Sequence, residues 1–248
     1  MTRHELLLAK ALGLVAFATV WELASRGVGD YWVPAIGQVA ARFWTELLAG
    51  RLVADLAATG HLLLAGTLIG TICGCAIACM LRLAPRLDAM VQPFITAVMS
   101  IPKLGLVPLL VLWFGTGWTP KVMLVALTVL FIVFSLTYAG LATVNARLVM
   151  TARVFGASSL QLTRHVVIPS VLPFMFTGLQ VALPWAVSAA LVAEYLAAKV
   201  GIGHGIEQAR QLSDSTGVYY GIVLATCLVL LCNGVLAWVR KLAIKVQP

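Results

Sequence analysis

Long runs of apolar residues limit how this chain can fold more than any other feature of its sequence. Six such runs are separated by shorter polar segments, at about 8–25, 58–80, 88–114, 120–141, 171–196 and 218–239. A helix needs about 20 mainly apolar residues to cross the hydrocarbon core of a bilayer. Helices suit this environment because each one closes its own backbone hydrogen bonds. The pattern predicts an all-α integral membrane protein with six transmembrane helices.

Composition excludes the main alternatives to a helical membrane protein. Of the 248 residues, 61% are hydrophobic and only 10% are charged, whereas ordinary soluble domains carry about 25% charged residues. A soluble fold would have too few charges for its surface, and a β-barrel would show short strands of alternating polarity, which are absent from the sequence. The net charge of +8 does not indicate nucleic-acid binding, because the basic residues are scattered between the apolar runs.

The N-terminal segment raises the question of a cleaved signal peptide. Its apolar run is long and is interrupted by Lys10 and Glu22, and it has no obvious small-residue cleavage site. We interpret it as a retained first span. We expect one transmembrane domain over 1–248, in which 1–57 holds the first helix and an outer amphipathic linker. Residues 58–240 then form five core helices, with a cytoplasmic loop at 142–170.

Loop charges predict the orientation of the chain. If the N-terminus is inside, ten basic residues fall on the inner side and six on the outer side. Arg and Lys residues concentrate on cytoplasmic loops, so both termini and the loop between the fourth and fifth spans are expected in the cytoplasm. The inner set is Arg3, Lys10, Arg82, Arg86, Arg147, Arg153, Arg164, Arg240, Lys241 and Lys245.

Two runs carry marks of helix packing and of a break. In the second run, small residues recur every four positions at Gly66, Gly70, Gly74 and Ala78, and such a stripe lets two helices approach closely. The third run is interrupted by three prolines, which remove helical hydrogen-bond donors. We therefore expect a break near 101–105, where the backbone must find polar partners in protein or water.

The loop at 142–170 contains a hydrophilic stretch that is unusual in so apolar a chain. It includes "VFGASSLQLTRHVVIPSVLP" at 154–173. Ser158 and Gln161 form a capping-box pattern, which starts a short helix after the break at Gly156. Pro169 disfavours helical conformation at Ile168 and is expected to end that helix. The sequence predicts two short amphipathic helices hinged at Gly156, outside the bilayer.

The length of this loop favours docking over simple connection. Connections between helices commonly need about 2–8 residues, and this one has about 29. An amphipathic helix with no lipid beneath it can dock into a groove of a partner protein or lie on the membrane surface. We expect docking.

Three motifs in order resemble the ABC importer permeases, in the branch that handles nitrate, sulfonates and taurine. The loop resembles the signature Glu-Ala-Ala, three residues, Gly, nine residues, Ile-x-Leu-Pro, in which Gly156 matches the glycine. The other motifs are "SIPKLGLVPLLVLWFGTG" (100–117) and "VAEYLAAKVGIGHGI" (192–206). The sequence departs at the opening triplet, where Met150-Thr151-Ala152 lacks the acidic residue, so shape and apolar contact are expected to replace an ion pair.

The resemblance implies a type I importer fold in the bacterial cytoplasmic (inner) membrane. It also implies two ATP-binding subunits, a second permease copy (most simply an identical one) and a solute-binding protein as partners, beside the lipid bilayer and with no nucleic acid. In such systems the loop docks into the ATPase and transmits its closure. The docking residues implied here are Ala152, Phe155, Gly156, Ala157, Ser158, Leu160, Arg164 and Pro169.

Motifs that are missing from the sequence agree with this division of labour. There is no G-x-x-x-x-G-K-[ST] phosphate-binding loop, so ATP and Mg²⁺ are expected on the partner ATPase, with no cofactor on this chain. No enzyme motif or metal-ligand spacing is present either, and the five cysteines are expected to be buried apolar residues. A stand-alone carrier or channel, which would not need an ATPase, is the alternative.

Cargo is less constrained by the sequence. The resembling branch implies a small anion (a sulfonate, taurine, nitrate or a carboxylate), and it also contains permeases for pyrimidine-type vitamin precursors. Two ionisable residues are candidates for the translocation path. Lys103 would attract anions or extend to the outer interface; Glu194 would lie in the path or instead order the outer loop.

Overall fold

The computed structural model describes residues 3–245, which form eleven α-helices and no strand within that range. Five helical segments in this range are long and apolar enough to cross a membrane, and α4 and α5, which pass the same test together, bring the number to six when the bent pair is counted as one span. The six-span prediction is therefore confirmed. The helices are α1 (Arg3–Val28), α2 (Ile36–Leu48), α3 (Arg51–Leu83), α4 (Pro85–Met99), α5 (Val107–Phe114), α6 (Trp118–Ala142), α7 (Ala146–Val154), α8 (Ser159–Leu162), α9 (Ile168–Ala197), α10 (Ile202–Gln211) and α11 (Ser215–Lys245).

The core of the fold is built from α3, α6 and α9. The small-residue stripe of α3 faces α6 so closely that a Cβ atom on Gly70 would lie 2.5 Å from the carbonyl oxygen of Ala126. On the other side of α6, a Cβ on Gly140 would lie 2.7 Å from the Cβ of Phe174 in α9. These approaches confirm the packing role predicted for the stripe, because only glycine lets the helix backbones come this near.

The third predicted span is broken, as the prolines indicate. Helix α4 ends at Met99, a 3₁₀ turn covers Lys103–Leu106, and α5 begins at Val107. The two helices meet at an angle of 82°. Residues at the break, including Ser100 and Pro102, are exposed on the surface of this chain, so lipid alone cannot be their natural surroundings.

Two amphipathic helices lie at the end of the core opposite the 142–170 loop, which we call the outer end after the orientation predicted from the loop charges. Helix α2, the predicted amphipathic linker, buries Val39 and Glu46, and the ring of Phe43 packs edge-on against Tyr220 of α11 at 4.7 Å. Helix α10 packs against α9 and α11. Helix α10 was not predicted from the sequence, because its ten residues are too few and too mixed to stand out as a periodic segment.

The cysteines do not occupy the buried positions that were expected. All five are free thiols, and Cys73, Cys79 and Cys227 are exposed, while Cys75 and Cys232 are half-buried. That expectation was wrong, because in a chain crossing a membrane an apolar run does not have to face the protein interior. One face of a span can be exposed on the surface of the chain, where lipid or another subunit covers it.

Candidate functional site

The loop between α6 and α9 folds as two short helices joined at a glycine. Asn145 begins α7, since its Oδ1 accepts a hydrogen bond from the Arg147 backbone N–H at 2.9 Å. Gly156 follows the end of α7 with a φ angle of +79°, a left-handed conformation that glycine adopts without strain. The backbone N–H of Ala157 donates back to the Ala152 carbonyl at 3.0 Å, which closes the helix end. The predicted break between two short helices at Gly156 is confirmed.

The second short helix begins with the predicted capping box. The Ser158 hydroxyl accepts from the Gln161 backbone N–H at 3.3 Å, and the Gln161 side-chain oxygen accepts from the Ser158 backbone N–H at 2.8 Å. Each side chain satisfies a backbone donor that the first turn leaves free. The loop is therefore held in shape by local bonds.

The prediction that Pro169 ends the second helix is wrong. Helix α8 passes through a π-helical turn at Thr163–Val167 directly into α9, and Pro169 lies in the first turn of α9. A π turn shifts hydrogen bonding from i→i+4 to i→i+5, so the chain just before Pro169 does not follow the ordinary helical pairing that the prediction assumed. The second half of the loop, from Ser159, and the fifth span are consequently one continuous helical element.

The loop exposes large apolar side chains outside the apolar spans. The side chain of Phe155 is 85% exposed and that of Leu160 is 78% exposed, and Met150 and Val154 are similarly open. Of the other predicted docking residues, Gly156, Ser158 and Arg164 are exposed and Ala152, Ala157 and Pro169 are half-buried. All eight lie in one segment of chain, around the hinge.

At the opposite end of α9, Glu194 lies in a closed polar cluster. Its side chain is only 2% exposed. The Thr59 hydroxyl of α3 lies 2.9 and 3.0 Å from the two carboxylate oxygens and donates to the carboxylate, and the Gly203 backbone N–H donates to Oε2 at 2.9 Å. Thr59 in turn accepts from the Ile202 backbone N–H at 3.0 Å. The carboxylate is therefore satisfied by donors within the chain.

The turn that covers Glu194 depends on a glycine. Gly201 has a φ angle of +127°, and a Cβ atom there would lie 2.5 Å from the carboxyl carbon of Glu194. Its backbone N–H donates to Asp55 Oδ1 of α3 at 2.9 Å. We name the set Asp55, Thr59, Glu194, Gly201 and Gly203 the outer cluster.

The second path candidate, Lys103, lies at the break of the third span. Its Nζ donates to the carbonyl oxygen of Met99, the last residue of α4, at 3.1 Å. The same ammonium lies 5.2 Å from the centre of the Phe131 ring. The structure therefore does not bring Lys103 and Glu194 together, because one lies at the bend of the α4–α5 span and the other at the outer end of α9.

Most of the outer cluster was not identified from the sequence. Thr59 lies at the start of a long apolar run and Asp55 lies just before it, and neither position carries a sequence signal for a polar contact. The pattern Gly201-x-Gly203 within the third motif was the available sign, since paired glycines after a helix often mark a tight backbone approach.

The fold and these sites define a class of protein, a multi-pass helical membrane component with a broken span and a long hinged loop. The chain belongs to the family described as the inner membrane component of binding-protein-dependent transport systems, which it matches over residues 66–245. The resemblance predicted from the three motifs is thus confirmed, and the protein is a permease subunit of an ABC importer.

Three similar proteins illustrate the range of the family. The formylaminopyrimidine transport permease protein ThiX of Halalkalibacterium halodurans is 29% identical and aligns with 92% of this chain and 91% of its own. The putative aliphatic sulfonates transport permease protein SsuC of Escherichia coli is 32% identical, over 85% and 81%. A solved inward-facing structure of the MetNI methionine ABC transporter has a TM-score of 0.68 at 18% identity, over 79% and 97%.

These comparisons confirm the type I importer permease fold and the expectation of a multi-pass protein of the inner membrane. The family implies ATPase and solute-binding protein partners. It is a transport component, in keeping with a chain that is not an enzyme by itself.

Proposed function

We propose that this chain forms the translocation path of the importer for a small anion and that its 150–169 loop is the site at which the ATPase subunits drive it. The observation that carries the proposal is the exposure of Phe155 and Leu160 around the left-handed Gly156. Exposing large apolar side chains to water costs free energy, which a partner surface recovers on binding.

The fold of the loop supports its use as a rigid contact. The capping box and the closed end of α7 fix both short helices, and the π turn joins them to α9 without an interruption. Movement of the docked loop would therefore pass directly into the fifth span. A connection of this kind couples two arrangements of the helices to the state of the ATPase.

The test compares one substitution at two open glycines. A Cβ atom on Gly156 or on Gly117 would meet no atom within 4 Å, but Gly156 has a φ angle of +79° and Gly117 has −70°. We expect Gly156→Val to abolish uptake in vesicles that contain the whole importer, while Gly117→Val transports normally. Correct insertion of both variants is checked by protease protection. Normal uptake by Gly156→Val would contradict the coupling role.

The broken span supports a path between two permease copies. Non-helical backbone at membrane depth persists only where protein covers it or where it borders a water-filled cavity. The break at Ser100–Pro102 is exposed on this chain, so a second copy, a water-filled path or both must cover it. An identical second copy is the simplest choice. Cross-linking between cysteines introduced at position 101 of each copy would report it; failure to form cross-linked dimers in membranes would contradict it.

Lys103 supports an anionic cargo. The residue is half-buried at the bend, its contacts are a carbonyl oxygen and an aromatic ring, and no ion pair among the described residues includes it. One relative is named for aliphatic sulfonates, which are anions, and another for formylaminopyrimidine. We expect Lys103→Gln to lower the apparent affinity for the transported anion at least several-fold, and Lys121→Gln, a half-buried lysine near the start of α6, to leave it unchanged.

Binding of a ligand panel by the partner solute-binding protein identifies the cargo class. Preference for sulfonates or other small anions supports the proposal, whereas preference for a neutral pyrimidine would replace it. Uptake by vesicles that hold only this chain, without ATP, would instead favour the stand-alone carrier.

For Glu194, the contacts favour a positioning role at the outer loop. Its carboxylate accepts from Gly203 and Thr59 and lies beneath Gly201, so it has no free oxygen facing a path. Glu194→Gln replaces one carboxylate oxygen by an NH₂ group, which cannot accept a hydrogen bond from the Thr59 hydroxyl or the Gly203 backbone N–H. We expect loss of thermal stability with an unchanged cargo preference. An unchanged melting temperature with altered cargo preference would return Glu194 to the translocation path.

The remaining details of topology and chemistry belong to the same proposal. Both termini lie in the cytoplasm, on the side of the docking loop, and ATP and Mg²⁺ bind to the partner subunits. A C-terminal reporter that is active only in the cytoplasm tests the first point. ATP hydrolysis by the purified chain without partners would contradict the second.

A further inference from the structure

A cavity of about 500 Å³ lies between the loop and the spans above it. Its apolar floor is formed by the ends of α6 and α9, with Leu141, Val144 and Val167, and Leu83 borders it at the end of α3. Two arginines line it, Arg82 at the end of α3 and Arg153 near the end of α7. The cavity thus joins an apolar interior to a cationic rim.

The cavity has no acidic residue in its lining to pair with its two arginines. None of the ion pairs between described side chains includes Arg82 or Arg153. The hydroxyl-bearing residues Ser159 and Thr163 also line it. The Thr163 hydroxyl donates to the Ser159 carbonyl oxygen at 2.9 Å, so two guanidinium groups and the Ser159 hydroxyl remain around the opening for an anion with several acceptor oxygens.

The position of the cavity indicates where such an anion would come from. Helix α3 has 33 residues, about 50 Å at 1.5 Å per residue, so it extends beyond a hydrocarbon core of about 30 Å. The cavity lies at its last turn, where α6 also ends and the chain becomes polar. Leu83 and Cys79 on its border are exposed, which leaves it open toward the bilayer at the level of lipid headgroups.

From this combination we infer that the cavity is a binding site for the phosphate headgroup of an anionic phospholipid, held by Arg82 and Arg153 with its chains along the apolar floor. Basic pockets between spans on the cytoplasmic side bind such headgroups. The loop presents Ala146, Val149, Arg153 and Ala157 to this cavity, while Met150 and Val154 are exposed elsewhere. The bound lipid would bridge the loop and α3 without occupying the exposed apolar side chains.

Native mass spectrometry of the purified full-length chain tests the site directly. The detergent-solubilised protein is titrated with phosphatidylglycerol and, separately, with phosphatidylcholine. We expect one phosphatidylglycerol per chain to bind about tenfold or more tightly than phosphatidylcholine. Equal retention of the two lipids would overturn the inference.

Matched variants locate the bound lipid. Arg82→Gln combined with Arg153→Gln removes both cavity arginines and is expected to weaken phosphatidylglycerol binding about tenfold or more. Arg86→Gln combined with Arg147→Gln removes the same charge from exposed positions outside the cavity, and is expected to change it less than about threefold. Equal losses in the two variants would mean general surface attraction and would overturn the site.

Three further tests keep the inference testable if the glutamine variant does not fold. Arg82→Lys with Arg153→Lys keeps both charges and should keep the preference for phosphatidylglycerol. In the wild-type protein, we expect phosphatidylglycerol to slow hydrogen–deuterium exchange of residues 146–157. An excess of inorganic phosphate should not displace the lipid, because phosphate lacks acyl chains. Displacement of the lipid by this excess of phosphate would show a soluble-anion site, and unchanged exchange would place the lipid elsewhere; either result overturns the inference.

Discussion

The two ends of α9 are built in opposite ways. At the outer end, a carboxylate that is costly at membrane depth is enclosed by Thr59 and the turn at 201–203. At the inner end, apolar side chains that are costly in water remain exposed around Gly156. The first cost is offset within the chain and the second is not. One end of the helix is therefore fixed by contacts within the chain, and the other leads to apolar side chains that the described chain leaves exposed, where we propose that the ATPase binds.

The difference has a mechanical meaning for a transporter. Helix α9 has 30 residues, about 45 Å at 1.5 Å per residue, and it joins the two ends without an interruption. A helix that is anchored to α3 at one end and pulled at the other can tilt as a unit, the kind of small packed-helix movement that underlies switching between two states. Substitutions at the outer end should change stability, and those at the inner end should change coupling.

The largest expected effect is at Gly201. Gly201→Ala forces an L residue to adopt a φ angle of +127° and places its Cβ 2.5 Å from the Glu194 carboxyl carbon. We expect the free energy of unfolding to fall by about 2–5 kcal/mol, measured by SDS-induced unfolding in mixed micelles. Gly115→Ala is the control, since Gly115 has a φ angle of +75° in open space; it should cost about 1 kcal/mol from backbone strain. Equal losses would show that the enclosure of Glu194 contributes nothing.

The next effect is at Thr59. Thr59→Val keeps the shape of the side chain but removes the hydroxyl that joins the Ile202 backbone N–H to Glu194. We expect a loss of about 2–3 kcal/mol, because buried polar groups lose their partners. Thr67→Val, two turns further along α3, removes a buried hydroxyl that has no partner in the structure, and it should not destabilise the protein. If Thr59→Val and Thr67→Val lower the free energy of unfolding equally, the outer cluster does not anchor α9 to α3.

At the inner end, stability and coupling should separate. Phe155→Ala is expected to change the free energy of unfolding by less than about 0.5 kcal/mol, since the ring is exposed. It should nevertheless weaken binding of the ATPase subunits, measured by co-purification or by surface plasmon resonance. Phe134→Ala, in the core of α6, should cost about 3–5 kcal/mol. A destabilised Phe155→Ala with normal ATPase binding would reverse the assignment of the two ends.

The smallest effect concerns acid stability at the outer surface. The Arg210 guanidinium, with Tyr195 and Gln211, lowers the pKa of Glu207 from its ordinary value to about 2. A depressed folded-state pKa stabilises the protein above the unfolded-state pKa, near 4.5, and this contribution is lost as the pH falls from there toward 2. Glu207→Gln should remove that part of the pH dependence of the melting temperature and leave the rest. Parallel curves for both proteins would contradict it.

Local patterns in the sequence predicted much of this architecture. The apolar runs predicted the spans, the glycine stripe predicted that α3 packs closely against another helix, and Ser158 with Gln161 predicted the start of α8. Each depends on neighbours within a turn or two, where side-chain chemistry decides the conformation. The prediction at Pro169 failed because it assumed ordinary α-helical hydrogen bonding, and the π turn at Thr163–Val167 changes that pairing.

The sequence by itself determined that the chain crosses a membrane, where it bends and where its hinged loop lies, because apolar length, proline and glycine act locally. Only the tertiary structure decided which contacts its polar residues make at membrane depth. Thr59 and Glu194 are 135 positions apart, and no periodicity connects them. Their contact exists because close packing of the helices brings α3 and α9 together, and because a carboxylate removed from water must find donors wherever the fold supplies them.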